Sequence, residues 1–499
     1  MSKYPYVIVL RQGKYKTIDD ILTKDPQFTY KITENIDDIK LLYDEHWNIL
    51  LTVGDSWQEY PIQNLMIIKT FQKWLHIKPE EITIETVANN GIVYNKILSC
   101  YIQNLPKREI FRPKISCFTT SFKSGHKILR PYNSLLMQTE KDWEWIILDD
   151  TPGDENFKWL IETLKDSRIR LYKPSQHSGS IGALKNQASS LCRGKYLLEL
   201  DHDDDIMPDC LETLIKAFES DPEVGFVYMD FAELFEDWKN FSYGDGWGMG
   251  LGSYYRQFVA TETRDGTICL AKDQKNTKTG KWLYSAKSCD INSIACQDIT
   301  AVPNHPRCWR KDVLQKIGYS ESLPVADDIE VLLLTILNYK VCRVAKLGYL
   351  QYKNEGNNNF SLIRNQEITK LQRAICAYYK PQFDKFFKVK AVAGTGPFWQ
   401  RGDNKDNRIN TVVNFDYDMT VCILDINHLT SSTLQNMYKN ERCDFILVLS
   451  NNDGGIETLL ETLDLYRIRF HVIENATKDQ MKAYFFNCYL TTKKSIVLE

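Results

Sequence analysis

The chain has 499 residues, 43% of them hydrophobic, a length that typically forms about three domains. Its net charge of -3 argues against a general nucleic-acid binder, which would be basic. Thirteen cysteines without regular spacing indicate a reducing compartment rather than a disulfide framework. No signal-peptide core is recognisable and no apolar run reaches the ~18 residues of a membrane span. We therefore expect a soluble, cytoplasmic protein without a membrane span.

Residues 1–110 are predicted to form an N-terminal accessory domain. Val7–Leu10 and Ile49–Val53 have the composition of strands, and nothing nearby has the spacing of a catalytic site. A packing or docking role is therefore expected. Arg108–Pro113 has the composition of a linker that ends at proline.

From Lys114 onward, strand and helix patterns alternate. The predicted strands are Ile115–Phe118, Trp145–Leu148, Ile169–Tyr172 and Tyr196–Leu200. This alternation predicts an α/β fold with a Rossmann-like, doubly wound, mostly parallel sheet. Such sheets bind ligands beyond the carboxyl ends of their strands. Polar groups at three of these ends therefore predict a binding site there.

An acidic stretch follows the strand Tyr196–Leu200. Its four carboxylates are Asp201, Asp203, Asp204 and Asp205. Crowded like charges raise one another's pKa, and a hard divalent cation is the usual remedy. A solvated acidic loop and an Asp-x-Asp metal site on a nucleotide diphosphate are both compatible with this pattern. A calcium loop, with Asp209 and Glu212 as further ligands, is disfavoured because Ile206 stands where such a loop needs glycine.

Two later stretches are also candidates for function. Residues 231–300 are predicted to be irregular, with a glycine-dense part, Tyr243–Gly252, that suggests either a mobile loop near the site or a disordered surface loop. Trp247 within it offers an aromatic surface for stacking or for packing. Asp327 and Asp328 precede a helical apolar run, and they suit either helix capping or a general base.

Five segments resemble, in order, the family 2 glycosyltransferases of GT-A fold. They are Ile115-Ser-Cys-Phe-Thr-Thr-Ser-Phe122, Ile147-Leu-Asp-Asp150, Ser178-Gly-Ser-Ile-Gly-Ala-Leu-Lys-Asn186, Gly194-Lys-Tyr-Leu-Leu-Glu-Leu-Asp-His-Asp-Asp204 and Val325-Ala-Asp-Asp-Ile-Glu-Val331. Leu184-Lys185 replaces the family's Ala/Arg pair, and Asp327 replaces its usual Glu. The resemblance covers roughly residues 113–375 and implies a GT-A domain over 113–395.

The resemblance also implies an activity and its residues. We expect an inverting transfer of sugar from a nucleotide-sugar donor, most simply a UDP-sugar, to a hydroxyl of a glycan or glycoconjugate acceptor. Asp328 aligns with the catalytic base, and Asp201 and Asp203 with ligands of Mn²⁺ or Mg²⁺. Candidates for phosphate contacts are Lys185, Arg307 and Arg364, with surface solvation as the alternative for each. Trp247 is a candidate for stacking on an acceptor sugar, with plain packing as the alternative. The implied contacts of the nucleotide sugar are Thr120, Ser121, Phe122, Asp149, Asp150, Gly182, Lys185, Asn186, Asp201, His202, His305, Trp309, Asp327 and Arg364.

Residues 416–499 repeat the first half of this domain. Leu160-Ile-Glu-Thr-Leu164 recurs as Leu459-Leu-Glu-Thr-Leu463, and Arg168-Ile-Arg170 recurs as Arg467-Ile-Arg469. Both pairs lie 299 positions apart, since 459 − 160 and 467 − 168 are both 299. The Asp-Asp pair is missing around Phe445–Ser450. We expect a partial, degenerate copy of the nucleotide-binding half, either a scaffold or, as we favour, the start of a longer protein.

Other functional classes remain open at this stage. An inactive module that binds glycan or nucleotide on the same fold is the main alternative. A sugar nucleotidyltransferase would show a glycine-rich basic loop after the first strand, which residues 119–125 do not provide. A hydrolase with paired carboxylates is compatible with the aspartate content alone. The sequence also leaves the oligomeric state open, with a homodimer as one option.

Overall fold

The computed structural model describes most of the chain. The described residues are 6–25, 28–36, 38, 49–56, 59–60, 73–88, 113–174, 177–242, 254–289, 291, 296, 303–353, 363–387, 411–430, 432, 434, 436–437, 442–449, 455–472, 477–485, 492 and 494–499. The chain divides into two compact units. Unit 1 comprises Met1–Lys123, Asp142–Gly179 and Ala183–Leu197, and unit 2 comprises Ser124–Lys141, Ser180–Gly182 and Leu198–Glu499. The predicted domain limits at 110, 113–395 and 416 remain predictions.

Strands and helices alternate along much of the described chain. The strands are β1 (Tyr6–Arg11), β2 (Thr29–Thr33), β3 (Ile49–Val53), β4 (Lys73–Ile77), β5 (Ile115–Ser121), β6 (Trp143–Asp149), β7 (Ile169–Tyr172), β8 (Tyr196–Glu199), β9 (Asp205–Ile206), β10 (Val224–Phe235), β11 (Asn240–Phe241), β12 (Tyr254–Arg264), β13 (Thr267–Leu270), β14 (Gly280–Ala286), β15 (Arg307–Arg310), β16 (Lys340–Lys353), β17 (Thr411–Val413), β18 (Met419–Ile423), β19 (Cys443–Leu449), β20 (Arg469–Val472) and β21 (Lys494–Leu498). The α-helices are α1 (Asp19–Leu22), α2 (Ile84–Ala88), α3 (Leu129–Leu136), α4 (Glu155–Thr163), α5 (Ile181–Ser190), α6 (Cys210–Ser220), α7 (Lys311–Ile317), α8 (Asp327–Asn338), α9 (Asn365–Phe386), α10 (Ile456–Thr462) and α11 (Lys478–Tyr484).

Unit 1 contains two parallel sheets. The N-terminal sheet has the order β2-β1-β3-β4, and its central strands β1 and β3 consist mostly of buried apolar residues. Its core includes Val7, Val9, Ile49 and Leu51. The second sheet has β7, β6 and β5 side by side, all parallel, and β8 begins beside β5. This order confirms the predicted α/β class and brings the carboxyl ends of β5 and β6 to one edge.

Unit 2 is organised around the long strand β10. Strand β16 pairs with β10 in parallel, and β15 and β14 pair with it antiparallel. The end of β8 lies beside β15. Strands β12, β13 and β14 form an antiparallel ribbon. The prediction that 231–300 is irregular is therefore wrong for its described part, because aromatic and β-branched residues of this stretch form strands. The glycine-dense part, 243–253, lies outside the described residues.

The C-terminal part of unit 2 forms a second parallel sheet with the order β20-β19-β18-β21. The same order, β7-β6-β5-β8, occurs in unit 1, so the predicted partial repeat is confirmed in three dimensions. Strand β20 touches the ribbon through the pair Arg256 and Phe470. Trp282 of the ribbon packs into the core of the repeat, 5.7 Å from the ring of Phe470.

Two further sequence expectations concern the chain as a whole. Among the described residues, no helix combines the length and the apolar character needed to cross a bilayer. All cysteines that fall in the described ranges are free thiols, and most are buried. A disulfide framework is therefore absent from that part of the chain, as the irregular spacing predicted.

Candidate functional site

The first group of polar side chains lies at the strand ends of unit 1. Asp149 is the last residue of β6 and is fully buried. Its Oδ1 accepts hydrogen bonds from Thr151 Oγ1 at 2.7 Å and from Asn156 Nδ2 at 3.0 Å. Its Oδ2 is buried without a hydrogen-bond partner. A buried acceptor of this kind is costly unless a ligand completes it, so Asp149 fits a donor group of a bound nucleoside.

Asp150 follows at the same strand end. Its Oδ1 accepts a hydrogen bond from the backbone N–H of Ser178 at 2.9 Å, and its Oδ2 lies 2.6 Å from Nδ1 of His177. The ring of His177 lies 5.4 Å from that of Phe122 and is half exposed. These rings and Asp150 form a partly open, aromatic and acidic surface that suits a base and its ribose. His177 is a site residue that the sequence analysis missed.

Two of the predicted nucleotide residues belong to β5 rather than to the turn after it. Thr120 and Ser121 lie beyond the predicted strand Ile115–Phe118, but β5 extends to Ser121. Ser121 Oγ lies 3.4 Å from Asp149 Oδ1, so it supports Asp149 rather than presenting itself to solvent. Lys185 and Asn186 lie on α5 and are partly exposed.

The second group lies in unit 2, where β8 ends. Glu199, Asp201 and His305 each offer one ligand atom, and these atoms lie within 4.8 Å of one another. Glu199 and Asp201 are two residues apart in extended chain, so their side chains leave on the same side. Nε2 of His305 lies 3.6 Å from Oδ2 of Asp201. Asp203, predicted as the second metal ligand, is not part of this cluster; its carbonyl accepts a hydrogen bond from Arg130.

Arg307 joins this cluster to the predicted base. The Nη1 of Arg307 lies 2.9 Å from Oδ2 of Asp328 and 3.7 Å from Oε2 of Glu199. Its side chain is 2% exposed, and its contact with phosphate stays a prediction. Burial lowers the pKa of Arg307, but the charges of Asp328 and Glu199 outweigh burial and hold that pKa above its ordinary value.

Helix α8 presents Asp327 and Asp328 in its first turn, as the sequence predicted. Ala326 immediately before it has a φ of 63°, a left-handed conformation that costs a residue with a β-carbon about 1–2 kcal/mol. Arg364, predicted at phosphate, instead pairs with Glu367 and donates to the carbonyl of Pro324 at 3.1 Å. It therefore holds the loop that leads into α8.

The two remaining acidic residues of the loop are structural. Oδ1 of Asp204 accepts the backbone N–H of Tyr352 at 2.7 Å, and Oδ2 of Asp205 accepts the hydroxyl of Tyr352 at 2.9 Å. Burial raises the pKa of Asp205 to about 6, and burial with the charges of Asp203 and Asp201 raises that of Asp204 well above its usual range. Neither is available as a ligand. Asp209 pairs with Lys346, which also removes the calcium-loop alternative.

Tyr349 supports the cluster from β16. Its hydroxyl accepts the backbone N–H of Asp201 at 3.2 Å, and its ring stacks on that of His305 with centroids 4.9 Å apart. Burial, followed by the charges of Asp204 and Asp201, raises the pKa of Tyr349 well above its ordinary value, so the hydroxyl stays neutral. Neither Tyr349 nor Glu199 was predicted, although the spacing of Glu199 from Asp201 was a usable signal.

Three further predictions have distinct outcomes. Trp309 is 0% exposed and donates a hydrogen bond to Thr335 Oγ1 at 3.0 Å, so it belongs to the core, and its contact with the donor stays a prediction. At Gly182 an added Cβ would lie 2.0 Å from the carbonyl oxygen of Ser320, so this position needs glycine for the close approach of that carbonyl.

Nδ1 of His202 lies 3.9 Å from Oδ1 of Asp203. Trp247 lies outside the described residues.

The cluster has the chemistry of a site for a divalent cation. Carboxylate oxygens and an imidazole nitrogen are ligands that Mn²⁺ accepts. With Asp328 and Arg307, the group has five side chains: three carboxylates, one guanidinium and one imidazole. Its charge is a net of two negative charges when the imidazole is neutral. Carboxylates this close repel one another unless further positive charge offsets them, so these residues fit a divalent ion.

Comparison with known proteins points to one group. Residues 116–271 match the family model described as glycosyl transferase family 2. Chondroitin synthase of Pasteurella multocida is 24% identical over 410 residues, which cover 76% of this chain and 38% of that protein. Chondroitin synthase of Escherichia coli is 31% identical over 153 residues, 30% of this chain and 21% of that protein. The chain therefore spans well under half the length of these relatives.

A third relative carries a more specific name. An Escherichia coli UDP-Glc:alpha-D-GlcNAc-diphosphoundecaprenol beta-1,3-glucosyltransferase is 30% identical over 114 residues, 23% of this chain and 44% of that protein. Its match, like the second one, covers less than a third of this chain.

Proposed function

We propose that this chain, whose residues 116–271 match the family model described as glycosyl transferase family 2, transfers a sugar from a nucleotide-sugar donor to a hydroxyl of a glycan acceptor, with inversion at the anomeric carbon. The observation that carries the proposal is the link from Glu199 and Asp201 through Arg307 to Asp328. It provides cation ligands and a partly exposed carboxylate in one connected group.

The donor is proposed to be a UDP-sugar. One relative, with 30% identity over 114 residues, is named for UDP-Glc. Asp149 and Asp150 of unit 1, with the rings of His177 and Phe122, are the proposed partners of the nucleoside. The relatives named as chondroitin synthases support a polysaccharide acceptor.

The proposed chemistry is a single displacement. The oxygen of the acceptor hydroxyl forms a bond to the anomeric carbon, and the bond from that carbon to the diphosphate oxygen breaks. Asp328 accepts the hydroxyl proton, which makes the acceptor oxygen a better nucleophile. The nucleoside diphosphate leaves with the bonding electron pair. A divalent cation held by Glu199, Asp201 and His305 would offset the charge that develops on this leaving group.

The test is release of nucleotide from UDP-, GDP- and dTDP-sugars with Mn²⁺ or Mg²⁺ and then with EDTA. Metal-dependent release from one donor class is the expected result. Asp201→Asn should abolish the metal dependence, whereas Asp312→Asn, at an exposed acid on α7, should behave as wild type. Nucleotide binding without release from any donor would instead favour an inactive binding module.

A further inference from the structure

Arg307 occupies an unusual position for a buried cation. It stands at the start of β15, opposite Tyr228 of β10, and its Nε donates to the carbonyl of Pro303 at 3.0 Å. These backbone contacts fix the guanidinium where one of its nitrogens reaches two carboxylates of different elements, Glu199 from β8 and Asp328 from α8.

We propose that Arg307 is a positioning residue that orients Asp328 and competes with the bound cation for Glu199. The role of Arg307 in orienting Asp328 rests on the function proposed above. The contact with Asp328 is close enough to be a charge-assisted hydrogen bond, which fixes the direction of the carboxylate. The 3.7 Å contact with Glu199 is longer and mainly electrostatic.

The two contacts have opposite consequences when the positive charge is removed. Without Arg307, Asp328 loses the hydrogen-bond donor that orients it. Small errors in the placement of a base lower the reaction rate strongly. Glu199 loses a competing cation at the same time, so it attracts a divalent ion more strongly. A residue with only a structural role would weaken turnover and metal binding together.

The experiment compares Arg307→Met and Arg307→Lys with wild type. For Arg307→Met we expect kcat for nucleotide release to fall by roughly 10²-fold with little change in the donor KM. We expect Mn²⁺, titrated alone and followed by electron paramagnetic resonance of the free ion, to bind roughly tenfold tighter. Arg307→Lys keeps the charge, so its Mn²⁺ affinity should stay near wild type and its kcat should be partly restored.

Arg343→Met is the matched control. Arg343 is also a buried arginine of unit 2, and its Nη2 lies 2.8 Å from Oδ1 of Asp230. Its loss should lower the melting temperature about as much as that of Arg307 does, without tightening Mn²⁺ binding or changing kcat per folded molecule.

Several outcomes would overturn the inference. Weaker or unchanged Mn²⁺ binding in Arg307→Met would show that Arg307 does not compete with the cation for Glu199. An unchanged kcat in the same variant would show that Arg307 does not orient Asp328. If Arg307→Met fails to fold, an Arg307→Lys variant with wild-type kcat contradicts the positioning role. A wild-type chain that binds Mn²⁺ but releases no nucleotide would overturn the proposed function instead. The Mn²⁺ affinities of wild type and Arg307→Met would still show whether Arg307 competes with the cation for Glu199.

Discussion

The two parallel half-sheets, β5–β8 in unit 1 and β18–β21 in unit 2, share a strand order but differ at their carboxyl ends. Strands β6 and β19 each have seven residues, and β6 ends at Asp149 where β19 ends at Leu449. The strand-end aspartate of the first half-sheet thus has no acidic counterpart at this position of the second.

A buried ion pair is retained in both. Glu144, second in β6, lies 3.0 Å from Arg170 of β7, and Asp444, second in β19, pairs with Arg469 of β20. These pairs are related by offsets of 300 and 299 residues, since 444 − 144 is 300 and 469 − 170 is 299. The second half-sheet keeps the ion pair that joins adjacent strands but lacks the aspartate at the strand end. The comparison teaches that these two features can change independently.

The largest expected effect concerns Asp328, the proposed base, which lies on α8 outside both half-sheets. Asp328→Asn keeps the shape of the side chain but cannot accept the proton of the acceptor. We expect transfer to fall by at least roughly 10³-fold, with donor affinity nearly unchanged. Transfer rate and donor binding by calorimetry measure the two quantities. Persisting transfer would place the base elsewhere.

Loss of the retained ion pairs should destabilise the fold by different amounts. Arg469→Met leaves the buried Asp444 without its paired arginine, which costs about 3–5 kcal/mol of unfolding free energy. Arg170→Met should cost less, because Nε of Arg193 remains 3.9 Å from Oε2 of Glu144. Urea unfolding measures this loss. UDP affinity should be unchanged in Arg469→Met, because the second half-sheet is proposed to bind no nucleotide. A loss of UDP affinity in that variant, at a temperature where it is folded, would contradict the division of roles.

The half-sheets should also differ in their response to acid. His471 stands where the first half-sheet has Tyr172, 299 positions earlier (471 − 172). Burial, with a contribution from Lys287, lowers the pKa of His471 to about 3, whereas the unfolded chain titrates near 6.5.

Because the unfolded state then binds the proton more readily, stability is complete above pH 6.5 and falls as the pH drops toward 3. The expected loss from pH 7 to pH 4 is about 3 kcal/mol. In His471→Gln this part of the pH dependence should disappear from urea unfolding curves. His428→Gln, at a histidine that contacts the carbonyl of Glu499, is the control and should retain it. An unaltered pH slope in His471→Gln would contradict the shifted pKa.

The smallest expected effect tests the ligand groups themselves. Asp150→Ala removes a carboxylate that we propose contacts the nucleoside, and a charged hydrogen bond is worth about 1.5–3 kcal/mol, or roughly 10- to 100-fold in UDP affinity. Leu449→Asp should not create UDP binding, because one carboxylate does not rebuild the surroundings that Asp149 has in Thr151 and Asn156. Calorimetric titration with UDP measures both. Unchanged affinity in Asp150→Ala would move the nucleoside elsewhere.

Much of the fold follows from local pattern. Alternating strands and helices predicted the parallel sheet because its strands are buried on both faces and read as short apolar runs. The 299-residue offset predicted the second half-sheet, and the acidic pair at the start of α8 followed from capping preference. The antiparallel ribbon β12–β14 was missed, since half-exposed strands between glycines resemble an irregular segment.

The sequence by itself determined the fold class, the repeat and the presence of carboxylates at strand ends, because those depend on residues near one another in the chain. Only the tertiary structure decided how these acids are grouped. It assigned Asp204 and Asp205 to Tyr352, grouped Asp201 with Glu199 and His305, and buried Arg307 between two carboxylates. Most of these contacts join residues far apart in the chain, such as Asp205 and Tyr352 at a separation of 147 positions, which only the folded chain brings together.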